Sequence, residues 1–98
     1  MSFVITNAID VFVGSDKPLL LSKANANRTI INIWAGDTDL WFGNRSVKGG
    51  TIGNKVKAGT KVEISLRGDI YVIRNASNSG LCSFSEEINS EGGTDGDL

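Results

Sequence analysis

Lys61-Val62-Glu63-Ile64-Ser65-Leu66-Arg67 alternates without a break, and that alternation decides the fold class. Extended backbone sends successive side chains to opposite faces, so Val62, Ile64 and Leu66 are expected to point inward. Lys61, Glu63, Ser65 and Arg67 then face solvent. Gly68-Asp69 reads as a tight reversal into Ile70-Tyr71-Val72-Ile73-Arg74, which is apolar on both faces. Upstream, Arg28-Thr29-Ile30-Ile31-Asn32-Ile33-Trp34 is rich in β-branched residues. Thr29, Ile31 and Ile33 share one face; Ile30, Asn32 and Trp34 share the other. Apolar content on both sides implies a central strand or one whose outer face meets a partner.

The same period extends outward. Ile9-Asp10-Val11-Phe12-Val13 puts Ile9, Val11 and Val13 on one face, with Asp10 and Phe12 opposite. Pro18 places Leu19-Leu20-Leu21 at a strand start or a sheet edge. Asp37-Thr38-Asp39 is a turn signal, and Leu40-Trp41-Phe42 follows as a strand that is expected to form a hairpin with 28–34. The Gly- and Lys-rich stretch from Arg45 to Thr60 is one long loop or two short edge strands. Asn75 to Gly80 is a turn cluster, and Leu81 to Ser85 is the last strand. Turn signals recur about every 8–12 residues with no helical period between them. The expectation is one all-β domain over residues 1–86, an antiparallel β-sandwich of jelly-roll-like or barrel-like form. Residues 87–98 are acidic and almost devoid of side chains that could be buried, and are expected to form a flexible, disordered tail.

Ninety-eight residues suit a single domain with a thin core. No apolar run approaches the ~18 residues that span a bilayer, and the start lacks the pattern of a secretory signal, so the protein is expected to act where it is made. All ten basic residues and six of the eleven acidic ones precede Glu86, a net of +4 for the body. Arg45, Lys48, Lys55, Lys57 and Lys61 follow one another with no acid between them. This suits an acidic neighbour, including another copy's tail, but falls short of the basic stripe of a dedicated nucleic-acid binder.

The chemistry-bearing residues argue against catalysis. There is no histidine, which removes the usual general base and the commonest metal ligand. Asp37 and Asp39 beside Trp34 and Trp41 could suggest a glycosidase pair, but Asp residues in a turn between strands are far more often turn-formers. The same acids with Asn44 lack the ordered spacing of a calcium loop. Gly49 to Lys55 lacks the ending and the following helix of a phosphate loop. The lone Cys82 reads as a small buried hydrophobe, and three glycosylation sequons read as chance matches. No enzyme activity, cofactor or metal is expected.

Trp34, Trp41 and Tyr71 each sit one position from an aliphatic or aromatic assigned to the core, which sends them to the outer faces. Large aromatics left wet dominate interfaces, so a subunit interface is the first reading and a sugar-stacking platform on Trp34 and Trp41 the second.

The ordered motifs Ala24-Asn25-Ala26-Asn27-Arg28 through Ile33, Asp39-Leu40-Trp41-Phe42-Gly43, Val56-Lys57-Ala58-Gly59-Thr60 and Gly68-Asp69-Ile70-Tyr71-Val72-Ile73 have a further meaning. Together they resemble small β-sandwich structural proteins of tailed bacteriophages, the capsid decoration (cement) proteins and related head or fibre proteins. Ala58 stands where proline is frequent in that pattern, and the acidic tail is not part of it. The resemblance implies a virion protein made in the host cytoplasm and bound to the capsid surface. It also implies a self-associating chain, commonly a trimer, that bridges copies of the major capsid protein without touching nucleic acid or membrane. Trp34, Trp41, Tyr71, Arg45, Lys48, Lys55 and Lys57 are the expected interface residues. The segments Met1 to Asp10 and Glu87 to Leu98 are the expected arms, ordering on assembly.

Overall fold

The computed structural model describes residues 3–89. Among these residues there is no helix, and nine strands run in order. They are β1 (Phe3–Ile5), β2 (Ile9–Val13), β3 (Leu19–Ser22), β4 (Arg28–Trp34), β5 (Leu40–Gly43), β6 (Asn54–Val56), β7 (Lys61–Ile64), β8 (Ile70–Arg74) and β9 (Gly80–Asn89). One sheet has the order β2-β9-β4-β7, with β1 continuing β2 along the same edge of the ten-residue β9. The other has the order β3-β8-β5-β6, and every pairing is antiparallel.

The pairings are nested. β5 meets β6, β4 meets β7, β3 meets β8 and β2 meets β9. The chain is therefore one long ribbon folded at residues 44–53, whose successive strand pairs alternate between the two sheets. Pairing of β9 with β4 and of β8 with β5 closes the roll. This is the double Greek key of a jelly roll, an arrangement that buries one face of each sheet against the other.

The core follows the sequence period over most strands. Val13, Leu21, Ile31, Ile33, Leu40, Phe42, Val56, Ile70, Val72 and Cys82 are buried together, with Val11, Val62, Ile64 and Phe84 packed against them. The pattern fails at Leu66, which is 50% exposed rather than inward, because β7 ends at Ile64 and the chain leaves the sheet. Gly68-Asp69 is likewise a crossing between sheets, since β7 pairs with β4 and β8 with β3 and β5. The expected hairpin of 28–34 with 40–42 is not formed for the same reason: β4 and β5 lie in opposite sheets. Between Arg45 and Thr60 the chain makes one short strand, β6, and a tight turn bridged at Lys48 and Ile52.

Neither end behaves as expected of an arm within the described residues. β1 and β2 are both paired to β9, and Thr6 locks the step between them. The Thr6 N–H donates to the Glu86 carbonyl at 2.9 Å, and its Oγ1 accepts the Glu86 N–H at 2.8 Å. β9 runs on through residues 87–89, which the sequence reading gives to the tail, because β1 on one side and β4 on the other supply their backbone partners. The rest of the expected tail, 90–98, lies outside the described residues.

Two buried arginines tie the ends of the sandwich. Arg28, 0% exposed, donates to the carbonyls of Leu66 (2.8 Å), Gly68 (2.6 Å) and Lys23 (3.0 Å), to Ser22 Oγ (2.9 Å) and to Glu86 (3.2 Å). At the opposite end, Arg74, 1% exposed, donates to the carbonyls of Thr38 (2.6 Å), Gly80 (3.3 Å) and Leu81 (2.9 Å). Burial pushes its guanidinium below the ordinary value for arginine. Arg28 thus satisfies carbonyls of loops outside the ladders, and Arg74 ties the β4–β5 connection to the start of β9.

Candidate functional site

Alternation around the buried Ile33 and around the buried Leu40 and Phe42 sends Trp34 and Trp41 outward, but from different sheets. The two rings occupy opposite outer faces of the sandwich, so one platform built from both is geometrically excluded. Trp41 lies opposite Lys55 and Ile73 across its strand pairs and is only half exposed, with Nε1 buried and without a hydrogen-bond partner. Tyr71, opposite Leu20 and Gly43, is half-buried on the same face. The 44–53 loop folds back toward this face: Val47 and Ile73 are buried, and Gly49 packs against the Arg74 carbonyl.

Among the basic side chains, Lys55 shares the face of Trp41 and is already ion-paired. Lys55 Nζ lies 3.3 Å from Asp39 Oδ2, an acid supplied by the β4–β5 connection. Asp39 also accepts the Ala58 N–H at 2.9 Å, and that hydrogen bond, with Lys55 next, holds its carboxyl below the usual range. Asp39 is thus committed to clamping two loops together. Arg45, Lys48 and Lys57 are exposed. A groove of about 370 Å³ opens between the 43–54 loop and the 66–70 segment, flanked by the half-exposed Ile52 and Leu66, while Arg45 and Lys48 line a separate hollow of about 380 Å³ with Ile73 and Arg74.

The outer face of the β2-β9-β4-β7 sheet is different in kind. Phe12 is 63% exposed and stands directly opposite Leu81, itself 55% exposed. Ser83, two residues along β9 on the same face, lies opposite both Asp10 and Trp34. Trp34, 37% exposed, is therefore the diagonal neighbour of Leu81, within side-chain reach. Three large apolar side chains form one patch around a small serine. Its border is polar: Asp10 accepts from Ser83 Oγ, and Lys61 Nζ sits 5.7 Å from the Trp34 ring centroid and 3.2 Å from Glu63. Apolar anchors inside a polar rim are the anatomy of a protein-binding surface.

Of the residues named from sequence, Trp34 alone belongs to this patch; Trp41, Tyr71, Arg45, Lys48 and Lys55 lie on the other side of the molecule. Phe12 and Leu81 were missed as site residues although their signal is present. Phe12 alternates with Val11 and Val13, and Leu81 adjoins Cys82, so both had to face outward once those neighbours were assigned to the core. No family model matches the chain, and neither a curated protein nor a solved structure does.

Proposed function

We propose that this protein is a structural component of a tailed-phage virion, a decoration protein that self-associates and attaches to the head shell, bridging copies of the major capsid protein. The observation that carries the reading is the Phe12–Leu81–Trp34 patch: exposed apolar anchors on a rigid sheet, with a polar rim. The ordered motifs that resemble phage head and fibre proteins supply the setting. Such a role asks for many small contacts repeated by the symmetry of a shell, and for no chemistry.

The test is co-sedimentation of the purified protein with phage heads stripped of their outer proteins. The expected result is saturable binding at a fixed ratio to the major capsid protein, weakened at least tenfold in Phe12→Ala with Trp34→Ala. A protein that stays in the supernatant at every concentration, or whose binding ignores both substitutions, refutes the reading. Quenching of tryptophan fluorescence by a glycan panel, abolished in Trp41→Ala, would place the protein among carbohydrate binders instead.

A further inference from the structure

Three of the molecule's cations are committed to ion pairs: Lys55 to Asp39, Lys61 to Glu63 and Arg28 to Glu86. Arg45 and Lys48 are exposed and have no ion pair or side-chain hydrogen bond among the described residues. Both line the hollow of about 380 Å³, together with the buried Val47 and Ile73. Ser15 and Ser46 add hydroxyl groups to the lining. Asp16 is the one acid there, and it makes no ion pair with either cation. The loop that carries the cations is fixed in place. The Lys48 N–H donates to the Ile52 carbonyl at 2.8 Å, and the Lys48 carbonyl accepts the Thr51 N–H at 3.0 Å. A Cβ at Gly49 would run into the Arg74 carbonyl, so the loop sits as close to β8 as glycine allows. Cations held ready in this way bind an anion without the cost of ordering a loop.

We propose that this hollow takes the acidic segment that follows β9, with Glu91, Asp95 and Asp97, from a second copy of the chain. The proposal rests on the self-association put forward above and adds a surface for it. Residues 90–98 carry those three acids and no base, the charge opposite to that of Arg45 and Lys48. Reach decides between a copy's own segment and its neighbour's. β9 begins at the hollow's end of the sandwich, since the Gly80 carbonyl accepts from the Arg74 guanidinium and Arg74 and Ala76 line the hollow. It finishes at the other end, where the Asn89 N–H donates to the Asn27 carbonyl at 2.8 Å, next to Arg28. The ten residues of β9, at about 3.4 Å each, put roughly 30 Å between the two. The hollow also opens beside the other sheet, about 10 Å further. Glu91 extends at most about 7 Å beyond Asn89, and Asp95 at most about 22 Å. Both fall short of their own hollow, whereas a neighbouring copy can present its hollow directly. A contact from the end of one copy to a hollow on the next is head-to-tail. Such contacts close into rings, the threefold that the resemblance implies among them, or run on as open chains. Each carboxylate–cation contact is weak alone, and closure of a ring makes them act together.

Charge reversal in the full-length protein tests the docking. One variant reverses the hollow, Arg45→Glu with Lys48→Glu. The other reverses the segment, Glu91→Lys with Asp95→Lys and Asp97→Lys. Light scattering of the unmodified protein should give a multiple of 10.4 kDa, with an association that weakens at least tenfold between about 0.05 and 0.5 M salt. Each variant alone should associate at least tenfold more weakly than wild type. Mixed, the two should associate as wild type does, because each offers the charge that the other's site now lacks. Mixing cannot restore a contact made within one chain. Variants that stay apart when mixed, or an assembly that ignores both reversals, overturn the docking and leave self-association standing. Weakening by the hollow reversal alone, with the segment reversal harmless, gives the hollow to another acid and overturns the segment as its occupant. A wild-type monomer up to hundreds of micromolar overturns both the docking and the self-association.

Discussion

Replacing Arg28 with methionine puts the account of the tied ends to a quantitative test. The guanidinium is fully buried and reaches five acceptors on three segments of chain. Methionine keeps much of the volume and removes every donor. Glu86, whose side chain is 15% exposed, then loses its cation, and the carbonyls of Leu66 and Gly68 lose their donor. Breaking a buried pair from one side costs about 3–5 kcal/mol, and stranded carbonyls add to it. A value near ~4 kcal/mol is a large fraction of the roughly 5–12 kcal/mol that stabilises a domain of this size. It corresponds to a fall in melting temperature of about 15–30 °C. Urea and thermal unfolding followed by tryptophan fluorescence and circular dichroism measure it. The pair has an internal control. Removing the stranded acid as well, in Arg28→Met with Glu86→Leu, should recover about 1–3 kcal/mol through the coupling between the two positions. Among the described residues Arg74 has no acid within salt-bridge distance, so substituting one of their carboxylates should not rescue Arg74→Met. A loss below ~1 kcal/mol in Arg28→Met, or additive behaviour with Glu86→Leu, would refute the reasoning.

Three further predictions follow from local geometry. Gly36→Ala should cost at least ~2 kcal/mol in chemical denaturation, since φ is +86° and a Cβ would run into the Leu81 carbonyl; Gly14→Ala, which meets nothing, should stay within ~0.5 kcal/mol. The Asp39 carboxyl is held low by the Ala58 N–H and Lys55, so its contribution to stability is present above the ordinary carboxyl range and disappears as pH falls through the folded value. Melting curves of Asp39→Asn should therefore fall below wild type at neutral pH and converge with it in acid; a gap that widens in acid would be the wrong sign. Burial pushes the Cys82 thiol above its ordinary value, so a thiolate-selective reagent should label it only as fast as the domain opens, and stoichiometric labelling within minutes under native conditions would contradict its place in the core.

What could be read from the sequence was whatever depends on neighbours along the chain. Ile31 and Ile33 inside with Trp34 outside, or Val72 inside with Tyr71 outside, follow from strand period alone. Which strand pairs with which does not, because in a nested ribbon each connection after the tip crosses between sheets. The acidic turn before Leu40 looks the same whether it closes a hairpin or passes over the end of a sandwich. Leu66 shows the complementary failure: the alternation continues in the sequence after the backbone has left the sheet. The buried arginines were invisible for a third reason. An Arg at a strand terminus is ordinarily solvated, and only the convergence of loop carbonyls from residues 23, 66 and 68, or of carbonyls from residue 38 and the start of β9 at 80 and 81, makes burial favourable. The apolar patch was half legible, since facing outward can be deduced locally while adjacency of Phe12, Leu81 and Trp34 requires the sheet order.

The nesting of the ribbon also sets a timetable for the newborn chain. β2 leaves the ribosome 67 residues ahead of the start of β9, and β9 is the strand it pairs with. At roughly 5–20 residues per second that is about 3–13 seconds of synthesis. Throughout that interval Val11 and Val13 travel without their native cover, beside Ile9 and Phe12, which stay exposed even in the folded domain. Many chains made at once on neighbouring ribosomes would hold the same sticky segment out together, and slow translation lengthens the exposure. The yield of folded protein should thus depend on how fast the stretch from β3 through β9 is made.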